Sequence, residues 1–275
     1  MKRAFEDFNP GDVLPLAARS VSPQEIATFA SDYGVLEPAA VAGRWHATAL
    51  FMRMAFDGWL GASECLGSPG LERLDWPAPI RANAHLSGTS TVLDRRPLKS
   101  RPTMGLVRFR HEVRDAAGAT VVVMDNPILI GRREAGTAPD PTQTAARPAQ
   151  PAASDEALLP HALGSHHFSA ASIKRFAAAY DPQTFHLDEA AAAATHFGGL
   201  SASGWHTATI HHRLLAAAPS ARALGQGAVR DLKWSRPVIA GDTLSYFCAT
   251  AGPAGGERHW ATNQSGEIVF SYRGE

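Results

Sequence analysis

Ala42–Leu50 reads AGRWHATAL, and Ala202–Ile210 reads ASGWHTATI. The two stretches share Ala42/Ala202, Trp45/Trp205 and His46/His206 at an offset of 160. Upstream, Val21–Tyr33 (VSPQEIATFASDY) lies over Phe168–Tyr180 (FSAASIKRFAAAY) at an offset of 147, with Ser22/Ser169, Ile26/Ile173, Phe29/Phe176, Ala30/Ala177 and Tyr33/Tyr180 in common. Downstream, Leu74–Leu86 (LDWPAPIRANAHL) lies over Leu232–Leu244 (LKWSRPVIAGDTL) at an offset of 158, keeping Leu74/Leu232, Trp76/Trp234, Pro79/Pro237, Ala82/Ala240 and Leu86/Leu244. Three blocks recurring in one order mean that a single unit is present twice. The units span 1–131 and 160–275. Arg132–Leu159 between them is rich in Ala, Pro, Thr and Gln, has no apolar period, and reads as a linker.

Both units carry the same local signals. Ser22, followed by Pro23, is a helix N-cap with proline at the first position, and Ile26, Phe29 and Tyr33 follow at helical spacing. Ser169 starts the matching helix, with Ile173, Phe176 and Tyr180. A second helix is predicted over Trp45–Leu60 and again over Gly204–Ala217. Leu106–Val113 (LVRFRHEV) alternates apolar and polar residues, then a turn at Asp115–Gly118 leads to a strand over Ala119–Met124. His259–Thr262, a turn at Asn263–Gly266 and Glu267–Tyr272 repeat that hairpin. One mostly buried helix with several antiparallel strands, made twice, predicts an α+β fold of two fused sheet-and-helix units.

Composition narrows the function. The 275 residues are 45% apolar and 19% charged, ordinary for a globular protein. Lys plus Arg and Asp plus Glu are both 26, so the chain lacks the basic footprint of a nucleic-acid binder. No run approaches 18 apolar residues, so no membrane span is expected. Glu6 and Asp7 stand where a signal peptide would be apolar, and a cytoplasmic location is the expectation. Cys65 and Cys248 read as buried small residues. His206 and His211 are five apart, without a metal-binding spacing, and no GxGxxG or Walker pattern occurs, so neither metal nor organic cofactor is expected.

The units differ at one place. Eleven residues separate Tyr33 from Trp45, while 24 separate Tyr180 from Trp205. The extra 13 fall in an acid- and histidine-bearing segment, Asp181-Pro-Gln-Thr-Phe-His186-Leu-Asp188-Glu189, so one site per chain is expected. On a helix, Asp181 and His186 would point about 140° apart. Pro182 biases Asp181 away from helical dihedrals, and an irregular segment can bring the side chains together for acid–base work on water. The same pair equally suits a capped turn and a satisfied buried histidine. Asp188 reads as the N-cap of the Ala-rich helix that follows. Ser201-Ala-Ser203-Gly204 precedes the long helix, whose first N–H groups suit a developing oxyanion.

The stretch YDPQTFHLDEAAAAATHFGGLSASGWHTATI resembles the MaoC-like dehydratases, the (R)-specific enoyl-CoA hydratases, in the double hot-dog arrangement where the motif stands in the C-terminal copy. FEDFNPGD and KSRPTMG resemble other parts of the same family, and the likeness spans the chain. The resemblance implies that Asp181 and His186 are catalytic and that the Gly204 N–H meets the thioester oxygen. Gln183 and Thr184 stand where Asn and Pro are commonest. Gln183 and Ser203 are expected beside the substrate. The implied reaction is hydration of a trans-2-enoyl thioester to the (R)-3-hydroxyacyl thioester, with a non-catalytic acyl-thioester binder or an acyl-CoA thioesterase as alternatives. The acyl tail is expected in the first unit, beside the short Tyr33–Trp45 connection. CoA or a carrier would need local cations. Arg230, Lys233 and Arg236 are favoured over Arg95, Arg96, Lys99 and Arg101. A homo-oligomer is compatible with this reading.

Overall fold

Ser22 opens the first helix as its residue type dictates, its side chain accepting from the Glu25 N–H, and Ser169 does the same with the Ser172 N–H. Each helix turns a phenylalanine inward onto the repeated histidine. Phe29 stacks on His46 at 4.1 Å and Phe176 on His206 at 4.7 Å. Burial lowers both histidines to about 3, so they pack as neutral rings. The duplicated Trp-His pair is therefore a core-packing device in both copies.

The computed structural model describes residues 2–34, 40–133, 160–219, 221, 224–225, 227–250 and 256–275. The first unit runs β1 (Val13–Pro15), β2 (Arg19–Ser20), α1 (Pro23–Tyr33), β3 (Val41–Ala42), α2 (Arg44–Gly58), β4 (Gly70–Asp75), β5 (Ile80–Arg81), β6 (His85–Pro97), β7 (Met104–Asp115) and β8 (Thr120–Gly131). The second runs β9 (His161–His167), α3 (Ala170–Tyr180), α4 (Thr184–Leu187), α5 (Glu189–Ala193), α6 (Gly204–Ala217), β10 (Val229–Trp234), β11 (Thr243–Thr250), β12 (Glu257–Thr262) and β13 (Ile268–Gly274). Of the expected linker Arg132–Leu159, all but Arg132 and Arg133 lies outside the described residues.

The sheet order is β1-β6-β7-β8-β4-β10-β13-β12-β11-β9, with β2 also on β6, and every pairing is antiparallel. Read from either end the order runs through equivalent strands, so one sheet crosses both units. Its centre is β4 on β10, where Leu74 pairs with Val229 and Leu71 with Leu232. The helices α2 and α6 pack against each other and are almost wholly buried. Among the described residues no helix is long and apolar enough to cross a membrane.

Two expected elements shift. The helix α2 starts at Arg44 and stops at Gly58, and a tight turn at Leu60–Ala62 replaces its last residues. The strand β8 does not end at Met124 but continues through Asp125-Asn126-Pro127 to Gly131. Arg110 on β7 holds both Asp125 carboxylate oxygens at 2.7 Å on the outer face, while Asn126 turns inward. Cys248 is buried as expected, but Cys65 is half-buried and lines a cavity.

Gly70 sits at the joint with φ +152°, and a Cβ there would fall on the Leu232 carbonyl oxygen. Only glycine fits that approach of two backbones. Gly70→Ala should cost roughly 2–4 kcal/mol, lowering the melting temperature by about 2–4 °C per kcal/mol. Gly118→Ala, which has positive φ but open space, should cost less. Calorimetric melting of the three proteins checks the ranking.

Candidate active site

The helix α3 ends at Tyr180 because Pro182 follows. Asp181 leaves the helical region at φ −145°, ψ 66°, and the Gln183 N–H donates back to the Asp181 carbonyl at 2.7 Å. The single turn of α4 then swings His186 round. Its Nε2 lies 3.3 Å from Asp181 Oδ2, and the two residues are 5% and 3% exposed. The irregular turn achieves what a helix of this spacing forbids.

Each member of the pair is held from behind. His186 Nδ1 lies 2.7 Å from the Ser201 carbonyl oxygen, which can only accept, so Nδ1 carries a proton. Nε2 is therefore the ring nitrogen turned to Asp181. Ser201 is fixed in turn, since Ala202 N–H donates to Val238 and Ala240 N–H to Leu200. Asp181 accepts from Ser203 Oγ at 2.6 Å and Gln183 Nε2 at 2.9 Å. Burial pushes the Asp181 carboxyl up, but the facing His186 and these hydrogen bonds outweigh it and hold the group below its ordinary range. Gln183 and Ser203 are thus carboxylate partners before they are anything else. Asp188 caps α5 by accepting from the Ala191 N–H.

Gly204 is the first residue of α6, so its N–H has no acceptor within the helix. It lines the same cavity as Asp181 and His186. Its lack of a side chain has a packing cause as well. A Cβ at Gly204 would fall on the Trp234 indole, so even Gly204→Ala disturbs packing. Substitution there cannot isolate the N–H.

The cavity is about 380 Å³, in the range of small-molecule sites. Its polar end is Asp181, His186 and Gly204 of the second unit. Its inner lobe is built by the first unit, from Met52, Ala55, Trp59, His111, Asn126 and Ile128. None of the described residues of the Tyr33–Trp45 connection lines this cavity. Residues 35–39 of that connection are outside the described residues, and Tyr33 is packed on Phe176 and His206 instead.

The favoured cation cluster is split by the strand. On β10, Val229 and Leu232 face in while Arg230 and Lys233 face out. Arg230 is tied to Asp75 and Glu275, and Lys233 is exposed, so neither reaches the cavity. Arg236 lines it, paired with Glu267 at 2.7 Å. From the less favoured cluster Arg101 lines it too, whereas Arg95 donates to the Phe5 carbonyl.

The first unit keeps a smaller counterpart of about 250 Å³, lined by Ala42, Arg44, Ala47, Trp76, Pro79 and Ile80. These match Ala202, Gly204, Thr207, Trp234, Pro237 and Val238, which all line the larger cavity. Arg44 stands where the second unit has Gly204. Among the described residues no group of three or more His, Cys, Asp or Glu side chains is placed to hold a metal.

The family model described as MaoC like domain matches residues 149–264. Three solved structures are similar over nearly the whole chain. A MaoC domain protein from Chloroflexus aurantiacus is 17% identical, covering 99% of this chain and 96% of that one, with a TM-score of 0.79. A Mycobacterium tuberculosis protein described as having a double hotdog fold is 16% identical, covering 99% and 97%, with a TM-score of 0.71. The peroxisomal multifunctional enzyme type 2 of Drosophila melanogaster is 16% identical, covering 95% of this chain and 48% of that one, with a TM-score of 0.67. These likenesses establish the double hot-dog fold. No curated protein matches the chain.

Carbon-13 titration of the Asp181 carboxyl should give a midpoint below 3.8, its ordinary value. Ser203→Ala removes one donor to Oδ2 and should move the midpoint up. A folded-state value below the unfolded one adds stability above the unfolded midpoint, and that stability is lost as pH falls through the folded one.

Proposed function

We propose that this chain, whose second unit carries a MaoC-like domain, is a hydro-lyase that reversibly hydrates a trans-2-enoyl thioester to the (R)-3-hydroxyacyl thioester. The carrying observation is the 3.3 Å approach of His186 Nε2 to Asp181 Oδ2 on the wall of the cavity that Gly204 also lines. The name dehydratase borne by the Chloroflexus protein agrees with this reading.

With Nδ1–H held by Ser201, Nε2 and Oδ2 together form the polar wall of the cavity. A water seated against that wall from the cavity side donates to the pair, which leaves its lone pairs aimed at the substrate. As water oxygen bonds to Cβ, the alkene electrons move through Cα toward the thioester oxygen. The Gly204 N–H and the positive end of α6 face that developing charge. The proton released by water passes to the Asp181–His186 pair, and a proton reaches Cα from the same face. The net change is addition of H and OH across the double bond, so no redox partner is needed. The saturated tail extends into the inner lobe. In the first unit Arg44 fills the place of Gly204, which supports one site per chain.

The test is a panel of enoyl-CoAs followed by loss of the conjugated thioester absorbance, with free thiol measured alongside. Absorbance should fall without thiol release, and thiol release would identify a hydrolase instead. Asp181→Asn and His186→Gln should each lower turnover by about 10² or more while the fold persists. Near-wild-type turnover in either would refute the mechanism. Arg101→Ala should raise KM for CoA substrates with little effect on turnover, whereas Lys233→Ala should change neither.

A further inference from the structure

The inner lobe contains a polar chain that the chemistry at Asp181 and His186 does not use. Trp59 Nε1–H donates to Ser90 Oγ at 3.0 Å. Ser90 Oγ lies 2.7 Å from His111 Nδ1, and His111 Nε2 lies 2.7 Å from Asn126 Oδ1. Ser90 and His111 are fully buried and Asn126 is 5% exposed. The direction of each proton follows by elimination. An indole N–H only donates, so Ser90 Oγ accepts from Trp59. Asn126 Oδ1 only accepts, so the His111 Nε2 facing it carries the ring proton, and Nδ1 accepts from the Ser90 hydroxyl. Burial lowers His111 to about 4 and keeps the ring neutral, with its proton on Nε2. That proton goes to Asn126 Oδ1. With Oδ1 on the histidine, Nδ2 is turned away from it.

Asn126 Nδ2 has no acceptor among the described residues, yet it is not sealed from solvent. Asn126 lines the cavity, so the donor opens onto the space where the tail would lie. The second unit shows the same device closed. His259 pairs with Tyr272 in the register that pairs His111 with Met124, and Gly274 stands at the place of Asn126. There His259 Nε2 faces Glu257, which also accepts from the Gly225 N–H. Gly274 brings no side-chain donor to that place.

We propose that Asn126 is a specificity-determining residue, donating a hydrogen bond to an uncharged oxygen, keto or hydroxyl, carried on the acyl tail of the substrate. This rests on reading the cavity as an acyl-thioester site. The oxygen is uncharged because none of the cavity-lining residues that α2, β7 and β8 place with Asn126 is Lys or Arg, and a carboxylate held among them would be buried without a counter-charge. An all-methylene tail would leave the amide donor dry and unpaired, which disfavours such substrates.

Equilibrium binding separates this preference from catalysis. Saturated acyl-CoAs bind without reacting, and calorimetry can compare equal-length pairs, one all-methylene and one with a ketone placed at successive positions beyond Cβ. In the wild type one ketone position should bind about tenfold or more tighter than its methylene match. The ratio should fall to near one in Asn126→Leu. It should fall equally in Asn126→Asp, which still accepts from His111 but has no donor to offer. A wild type indifferent to every ketone position, or a preference that survives both variants, overturns the proposal. If no acyl-CoA of either kind binds, the acyl-thioester reading fails and takes this inference with it. Equal binding of both kinds fails the inference alone.

Discussion

The antiparallel pairing of β4 with β10 is the constraint on which the other features depend. Leu71 and Leu74 lie opposite each other's repeat equivalents, Leu232 and Val229, across that seam. Because the seam joins two sheets into one, α2 and α6 are brought side by side beneath it. A cavity opening at the start of α6 can then run on beneath the first unit. Gly70 permits the seam by letting the backbone of β4 approach the Leu232 carbonyl. Without that approach the Asp181–His186 pair would have no first-unit lobe beside it.

The repeat was legible because packing repeats itself in residue type. Phe29 and Phe176 stack on His46 and His206, so selection for the same contact left the same letters in both copies. The Asp181–His186 segment was legible as an insertion, and Pro182 gave the physical reason why five-residue spacing need not keep the pair apart. The tautomer of His186 was not legible, because the Ser201 carbonyl that sets it is backbone and leaves no mark in composition.

Three features escaped for different reasons. Asp125-Asn126-Pro127 carries turn signals, yet it is mid-strand, since Arg110 holds the Asp125 carboxylate outside and His111 engages the Asn126 amide oxygen inside. Such satisfaction is tertiary and cannot be read from a window. The cation cluster Arg230, Lys233 and Arg236 looked continuous in sequence, but a strand deals its residues to opposite faces. Arg236 reaches the cavity only because it lies past the end of β10. Gly204 was read for its free N–H, while the Trp234 indole against it supplies a packing reason of equal force.

The seam also governs how this chain comes into being. During synthesis β4 emerges well before β10, and Leu74 waits for Val229 to be made. At roughly 5–20 residues per second that interval is on the order of ten seconds. A first unit folded in that interval would present β4 as an open edge, with unpaired backbone groups and two leucines that the finished sheet buries. What best imitates the absent β10 is its repeat equivalent, the β4 of a neighbouring nascent chain. The register that makes one chain resemble a fused dimer is therefore also a route by which two unfinished chains can be captured by each other.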